Sequence, residues 1–187
     1  DAPKDEESAI IWQEVGMPKE RISYLNKKEN WWGPAGETGP CGPDTEIFYW
    51  VGAEDFPPVG SNVETDEDNW MEIWNNVFME YTKNEAGEFK LADHQNVDTG
   101  MGLERITALL NGSNDNYSSD LFTNIINATQ ELIKTKINEK NKASFRVIAD
   151  HLRASSFLIA DGVIPSNEGR GYVLRRILRR GIRHAYT

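Results

Sequence analysis

The sequence predicts an α+β fold in which an antiparallel-sheet domain is followed by an all-helical domain. Alternation of apolar and polar residues, which is typical of half-buried strands, is concentrated before residue 100. Helical periodicity without further strand signals follows it, and turn-forming residues cluster at 112–118 between the two regions. We therefore predict two domains, at 1–112 and 113–187.

The N-terminal region contains short elements separated by glycine and proline. Apolar segments broken by Gly16 and Pro18 predict two short helices, at 9–14 and 19–25. The segment 33–43 holds four glycines and three prolines. We expect it to form a loop that the proline rings keep stiff.

Two strands are predicted on either side of a polar loop at 54–68. The first is the aromatic-rich segment 45–51, and the second is 71–81, whose odd-numbered residues share one face. A hairpin turn at 84–87 then leads into a further strand at 89–91.

Every element predicted after the last strand is a helix. The first of these helices ends at Asn111-Gly112, because glycine favours the left-handed cap. The predicted helices span 103–110, 120–136, 142–160 and 170–186. One half of the last helix is apolar and consists of Val173, Leu174, Ile177, Leu178, Gly181, Ile182 and Ala185. The other half carries Arg175, Arg176, Arg179, Arg180 and Arg183.

Composition indicates a folded protein with no membrane partner. The chain has 187 residues, of which 39% are hydrophobic, and its single cysteine excludes an internal disulfide and a cysteine-rich metal site. No apolar run approaches the roughly 18 residues of a membrane span, and the acidic N-terminus is unlike a signal peptide. We expect a cytoplasmic location.

Charge is distributed unequally along the chain. Residues 1–142 carry 12 Lys and Arg against 27 Asp and Glu, a net charge of −15, whereas residues 143–187 carry 8 Arg against 3 acids, a net charge of +5. An acidic surface repels nucleic acid and a cluster of arginines attracts it. Any nucleic-acid contact is therefore expected at the C-terminal end.

The most informative segment joins a strand end at 96–99 to a helix. Gly100 and Gly102 leave the backbone accessible to a ligand, and the helix N-terminus behind them favours an anion. Asp98 adds a carboxylate before the glycines, and Arg105 adds a forked cation after them. This combination indicates a site for a ligand that carries both an amine and a phosphate.

Each candidate residue also has an ordinary structural interpretation. Asn75 lies in the middle of a predicted strand, so its amide must be hydrogen-bonded either by backbone in a core or by a ligand. Asp98 alone fits a turn or a helix cap, and Arg105 alone fits a solvated helix face. Trp32 fits a packing anchor and Cys41 a structural loop cysteine. The three histidines are scattered, and no metal site is predicted.

Four segments together resemble the alanyl-tRNA synthetases, a family of class II aminoacyl-tRNA synthetases. They occur in the family's order and cover nearly the whole chain. They are residues 30–49, 72–81, 97–106 and 145–184, of which 97–106 resembles motif 3 of that class. The resemblance implies that the first domain is the C-terminal part of the sheet-based catalytic (adenylation) domain. The second is then the start of the helical domain that recognises the tRNA acceptor stem.

The resemblance also assigns functional residues. Alanine-binding residues are Trp32, Asn75, Val77, Asp98 and Gly100, with Asp98 pairing with the α-ammonium group and Trp32 forming a wall of the pocket. ATP-binding residues are Gly100, Gly102 and Arg105, and Asp98 and Arg105 are the catalytic pair. Residues assigned to tRNA are Asn167, Arg170, Arg175, Arg176, Arg179, Arg180 and Arg183, with Asn167 as a reader of the acceptor-stem G·U pair.

The activity implied by the resemblance is ATP- and Mg²⁺-dependent activation of alanine and its transfer to the 3′ end of tRNA(Ala). Motifs 1 and 2 of the class are not found, so we expect a fragment that is inactive without the remainder of a full-length synthetase. A non-catalytic module that binds the tRNA acceptor stem is the alternative, and an unrelated adenylating ligase is a third possibility. Asp44 stands where many relatives carry cysteine, which argues against a metal or thiol role for Cys41.

Overall fold

The computed structural model describes residues 4–186. The chain forms two compact units, of which the first ends at Ile106 and the second begins at Thr107. This division precedes the turn-rich segment in which the sequence places a domain boundary, so the boundary after residue 112 stays a prediction.

The first unit is built on an antiparallel sheet. Its strands lie in the order β1-β2-β3-β4, and each pairs antiparallel with its neighbours. Together with the helices that follow, this sheet confirms the predicted α+β fold. The elements are helix α1 (Glu6–Glu14) and strands β1 (Trp31–Trp32), β2 (Gly39–Trp50), β3 (Trp70–Lys83) and β4 (Phe89–Met101). Helix α2 (Leu103–Leu110) contains the division between the two units.

Strand β2 begins earlier than predicted, because part of the glycine- and proline-rich segment 33–43 belongs to the sheet. Gly42 explains the difference. A Cβ atom at this position would lie 1.7 Å from the carbonyl oxygen of Phe78 in β3. The glycine therefore permits a close approach of two paired strands instead of forming a turn. The pairing shifts register between Cys41 and Asp44, as expected for a bulge.

The prediction of a helix at 19–25 is wrong, since this segment has only a single 3₁₀ turn at Lys19–Arg21. Ile22 already has extended backbone angles, with φ of −102° and ψ of 114°. A segment this short makes too few helical hydrogen bonds to offset the cost of nucleation unless it has a packed partner. The hairpin turn at 84–87 is confirmed and is closed by the Gly87 N–H group, which donates to the Asn84 carbonyl at 3.0 Å.

The second unit consists of helices. Its core is formed by Phe122, Ile126, Phe145 and Ala149, with Tyr117, Leu121 and Ile125 packed against them. The helices are α3 (Asp120–Ile133), α4 (Lys142–Ala160) and α5 (Gly169–Tyr186), preceded by a 3₁₀ turn at Asn116–Ser118. Helix α3 ends before the predicted residue 136, because Lys134 adopts the left-handed conformation with φ of 53°.

The buried face of α5 is narrower than the apolar half predicted from the sequence. Leu174 is fully buried, whereas Val173 and Ile182 are 52% and 58% exposed. Helix α5 packs on α4, and a Cβ at Gly181 would lie 3.4 Å from the Cβ of His151. Contact with a single neighbouring helix covers only the strip that faces it. None of the helices within residues 4–186 is long and apolar enough to cross a membrane.

Candidate functional site

Cross-strand register brings polar residues of three strands onto one face of the sheet. Asn75 in β3 pairs with Glu46 in β2 and with Gly100 in β4. Val77 pairs with Asp44 in β2 and with Asp98 in β4. Directly opposite residues of antiparallel strands share a face, so these two rows lie side by side.

A cavity of about 410 Å³ opens over these rows. Its floor includes Val77, which is 4% exposed, and its rim includes Trp32, which is 38% exposed. The cavity unites all five residues that the sequence assigned to an amino-acid pocket. The complete lining is Trp32, Glu46, Glu72, Asn75, Val77, Asp98 and Gly100.

Side chains of β2, not backbone, satisfy the amide nitrogen of Asn75. Its Nδ2 donates to Asp44 Oδ2 at 3.3 Å and to Glu46 Oε1 at 3.1 Å. The interpretation of Asn75 as a core residue bonded to backbone is therefore wrong. Its side chain instead belongs to a polar network on the wall of the cavity.

The cavity is strongly acidic. Asp44 is 8% exposed, and burial raises the pKa of its carboxyl above the usual value, with a smaller contribution from the charge of Glu72. Burial, together with the charges of Glu72 and Asp44, raises the pKa of Glu46 to about 7. With Asp98 on the opposite wall, such a site favours a cationic group of a ligand over an anionic one.

Sequence reasoning missed Glu46 and Glu72 as lining residues and Asp44 as the partner of Asn75. Glu46 lies two residues from Asp44 and shares its strand face, which is a signal that alternation provides. The position of Glu46 opposite Asn75 and of Asp44 opposite Val77 depends on the register shift between Cys41 and Asp44, which no local pattern reveals.

Arg105 is held by Glu72, which lines the cavity. Its Nη1 donates to the Glu72 carbonyl at 2.7 Å and to Oε2 of the same residue at 2.9 Å. A Cβ at Gly102 would lie 3.2 Å from the Arg105 Cδ, so this glycine makes room for the arginine side chain. At Gly100 an added Cβ would meet no atom within 4 Å, because that position faces the open cavity.

The arginines assigned to tRNA are exposed along α5 and in the turn before it. Arg170, Arg175, Arg176, Arg179, Arg180 and Arg183 all have exposed side chains. Asn167 is exposed as well, and its Oδ1 accepts a hydrogen bond from Nη1 of Arg175. The predicted cationic face of this helix is therefore available to a ligand, with one of its arginines tied to Asn167.

Cys41 is completely buried in β2, so its predicted position in a loop is wrong. The thiol faces away from solvent at the close approach of β2 and β3, which fits a packing role. Within residues 4–186 no group of three His, Cys, Asp or Glu side chains is arranged to hold a metal ion.

The sequence is similar to those of known proteins over nearly its whole length. The family model described as tRNA synthetases class II (A) matches residues 1–187. The chain is 50% identical over 190 residues to an alanine–tRNA ligase of Treponema denticola, which covers 98% of this chain and 31% of the relative. It is 52% identical over 183 residues to an alanine–tRNA ligase of Rickettsia felis, covering 97% of this chain and 21% of the relative. A Sphingopyxis alaskensis alanine–tRNA ligase is 51% identical over 185 residues, covering 97% of this chain and 21% of the relative. The chain thus spans between about a fifth and a third of the length of these curated relatives.

Proposed function

Because the chain belongs to the class II tRNA synthetase (A) family, we propose that its cavity binds alanine and ATP within an alanine–tRNA ligase. The observation that carries the proposal is the convergence of Trp32, Asn75, Val77, Asp98 and Gly100 on one acidic cavity. The names of the relatives support alanine as the amino acid.

The lining suits a small amino acid. Asp98 supplies a carboxylate for the α-ammonium group, which is a charge-assisted contact. Val77 and Trp32 supply an apolar floor and wall for a methyl side chain. A pocket of this kind excludes larger side chains by volume but discriminates weakly against glycine and serine.

The chemistry follows from positioning these groups. A carboxylate oxygen of alanine attacks the α-phosphorus of ATP, pyrophosphate leaves, and alanyl-adenylate forms. A hydroxyl at the tRNA 3′ end then attacks the alanyl carbonyl carbon, and AMP leaves with the bonding electrons. No step needs a protein nucleophile, so catalysis depends on orientation and charge stabilisation.

Arg105 is suited to the phosphates of ATP. Its guanidinium is bonded to Glu72, which lines the cavity, and Glu72 fixes its direction through Nη1. Mg²⁺, which neutralises phosphate charge when bound, fits this site only together with ATP. The described residues 4–186 contain no three-ligand cluster for it, and Mg²⁺ commonly takes most of its ligands from phosphates and water.

We assign the arginines of α5 to the phosphates of the tRNA(Ala) acceptor stem. Arginine matches phosphate geometry through its forked donors, and the exposed face extends along one helix. The combination of this face with the cavity favours a ligase over the alternative of a module that binds RNA alone. The remainder of a full-length synthetase is the partner that the length of the relatives implies.

Isothermal titration of the chain with small ligands tests the proposal. We expect L-alanine to bind and propionate, which lacks the ammonium group, to bind far more weakly. If the folded chain binds RNA through α5 but does not bind alanine, the binding module becomes the better description.

A further inference from the structure

The amide of Asn75 is held in one orientation by two carboxylates. Both of its N–H bonds are used, one toward Asp44 Oδ2 and the other toward Glu46 Oε1. An ionised carboxylate only accepts hydrogen bonds, so the amide nitrogen must face β2 and the amide oxygen cannot. The chemistry of the neighbours therefore determines which end of this side chain faces the cavity.

The Asn75 oxygen consequently points away from β2, toward the side on which β4 lies. The residue opposite Asn75 in β4 is Gly100, beside which an added Cβ would meet no atom within 4 Å. This open volume lies in the same cavity as Asp98. A group that enters it meets the Asn75 carbonyl oxygen and the Asp98 carboxylate, and both are acceptors.

We propose that Asp44 and Glu46 are positioning residues that lock the Asn75 amide so that its oxygen, with Asp98, forms a two-acceptor site for the substrate ammonium group. The inference rests on the proposed alanine site and adds two residues to it. An unlocked amide can turn its N–H bonds toward the cavity, where they repel a cation. The lock thus favours an amine over a hydroxyl at the α-position of the ligand.

Burial of Asp44 fits this role. Its Oδ1 is buried without a hydrogen-bond partner among the described residues, while Oδ2 accepts from Asn75. A buried carboxylate with an unpartnered oxygen destabilises the fold. Its hydrogen bond from Asn75 offsets part of this cost.

The acidic surroundings of Glu46 make the lock sensitive to pH. Glu46 faces Asp44 on its own strand, Glu72 on β3 and Glu29 in the segment before β1, and burial adds to their effect in raising its pKa to about 7. Protonated Glu46 carries an O–H donor that the Asn75 oxygen accepts if the amide turns over. The lock is therefore complete above neutral pH and weakens below it.

The test compares the chain with its Asp44→Asn and Glu46→Gln variants. Each new amide offers N–H donors, so Asn75 is free to turn over. We expect the affinity for L-alanine to fall roughly tenfold in each variant, as for a weakened charge-assisted hydrogen bond. We also expect the preference for L-alanine over L-lactate, which carries a hydroxyl in place of the ammonium group, to fall with it. Thr45→Val is the matched control, because Thr45 lies between the two acids and points to the other face of β2.

A second measurement needs no ligand. In ¹H–¹⁵N spectra the side-chain amide of Asn75 should shift with an inflection near pH 7 in the wild-type chain and without one in Glu46→Gln. The inflection reports the contact between Glu46 and Asn75, whereas the preference for L-alanine over L-lactate reports the positioning role. This spectrum also reports on the lock if Asp44→Asn fails to fold.

The outcomes separate this inference from the proposed function. Absence of alanine binding by the folded wild-type chain overturns the alanine site, whereas the pH inflection still reports on the lock. Wild-type alanine binding with unchanged affinity and selectivity in Glu46→Gln overturns the positioning role alone. An Asn75 amide signal that is flat between about pH 5 and 9 overturns the pH sensitivity of the lock.

Discussion

The cavity on the sheet and the arginine face of α5 are both charged, but they are assembled in opposite ways. The cavity draws carboxylates from three strands, and burial, together with the charges of Glu72 and Asp44, raises the pKa of Glu46. The arginines come from one helix and are all exposed. Register therefore concentrates like charges at an energetic cost, whereas a helix face distributes them along its length in solvent. The first site depends on the fold, and the second depends mainly on sequence.

The largest effect is expected from Gly42→Ala, which breaks the register that builds the cavity. The added Cβ would overlap the Phe78 carbonyl oxygen, so β2 and β3 must separate. Overpacking of this kind costs up to about 3 kcal/mol and at times more. Urea denaturation should show this loss together with the loss of alanine binding. Gly36→Ala is the control, because its Cβ would meet only the Thr38 carbonyl oxygen at 3.8 Å. Equal stabilities of the two variants would contradict this account of β2.

Asp98→Asn tests the cavity without disturbing the strands. It removes a charge-assisted contact with the ammonium group, which is worth about 1.5–3 kcal/mol, or roughly 10- to 150-fold in alanine affinity. Calorimetric titration provides the measurement. Asp93→Asn removes a charge from the same strand outside the cavity lining, and it should bind alanine like the wild type. An unchanged alanine affinity in Asp98→Asn counts against the assignment of the ammonium site.

Gly100→Ala tests whether the ligand occupies the volume beside Gly100, because the substitution should leave folding unaffected. The structure leaves open volume at this Cβ, so thermal stability should change little. A methyl group in the cavity competes with the ligand and should weaken alanine binding by about 1–3 kcal/mol. Binding at wild-type strength would show that the ligand does not approach the Gly100 backbone.

Local patterns in the sequence predicted strand β3, the two ends of β4 and the helices α2 and α4. The five residues assigned to the amino-acid pocket came instead from the resemblance to a family. The helix predicted at 19–25 failed because tertiary contacts decide whether so short a segment is helical. The lock on Asn75 was not predictable, since it depends on a register shift next to Gly42. Arg105 was predicted from a motif, but its anchoring by Glu72 joins residues that are distant in sequence. Local periodicity thus finds elements and single residues, while partners across strands require the fold.

Glu46→Gln gives a smaller effect, which concerns stability and its pH dependence. Because the folded-state pKa of Glu46 is raised to about 7 from an ordinary value of 4.5, the unfolded chain loses this proton first as pH rises. Its contribution to the free energy of unfolding therefore decreases between about pH 4.5 and 7 and levels off above that range. The variant should lack this decrease and should be more stable than the wild type at pH 8. Chemical denaturation at several pH values measures both effects. If the stability of Glu46→Gln depends on pH at least as strongly as that of the wild type, the raised pKa of Glu46 is contradicted.

The smallest effect is expected at the arginine face, where each residue contributes a little in high dielectric. If these arginines contact phosphates, RNA affinity should fall with salt by roughly 0.7–0.9 log units per log unit of salt for each phosphate neutralised. Replacing Arg176 and Arg180 by Gln should flatten the slope and weaken binding to all RNA sequences alike, because phosphate contacts carry no sequence information. These two arginines lie one turn apart and leave the Arg175 contact with Asn167 intact. Asn167→Ala should change discrimination between acceptor-stem hairpins with and without the G·U pair while the slope stays constant. Salt titrations of hairpin binding for the three proteins make the comparison. An undiminished slope in the double variant would identify this half of α5 as a solvated surface, and nucleic-acid binding would then have to involve other residues.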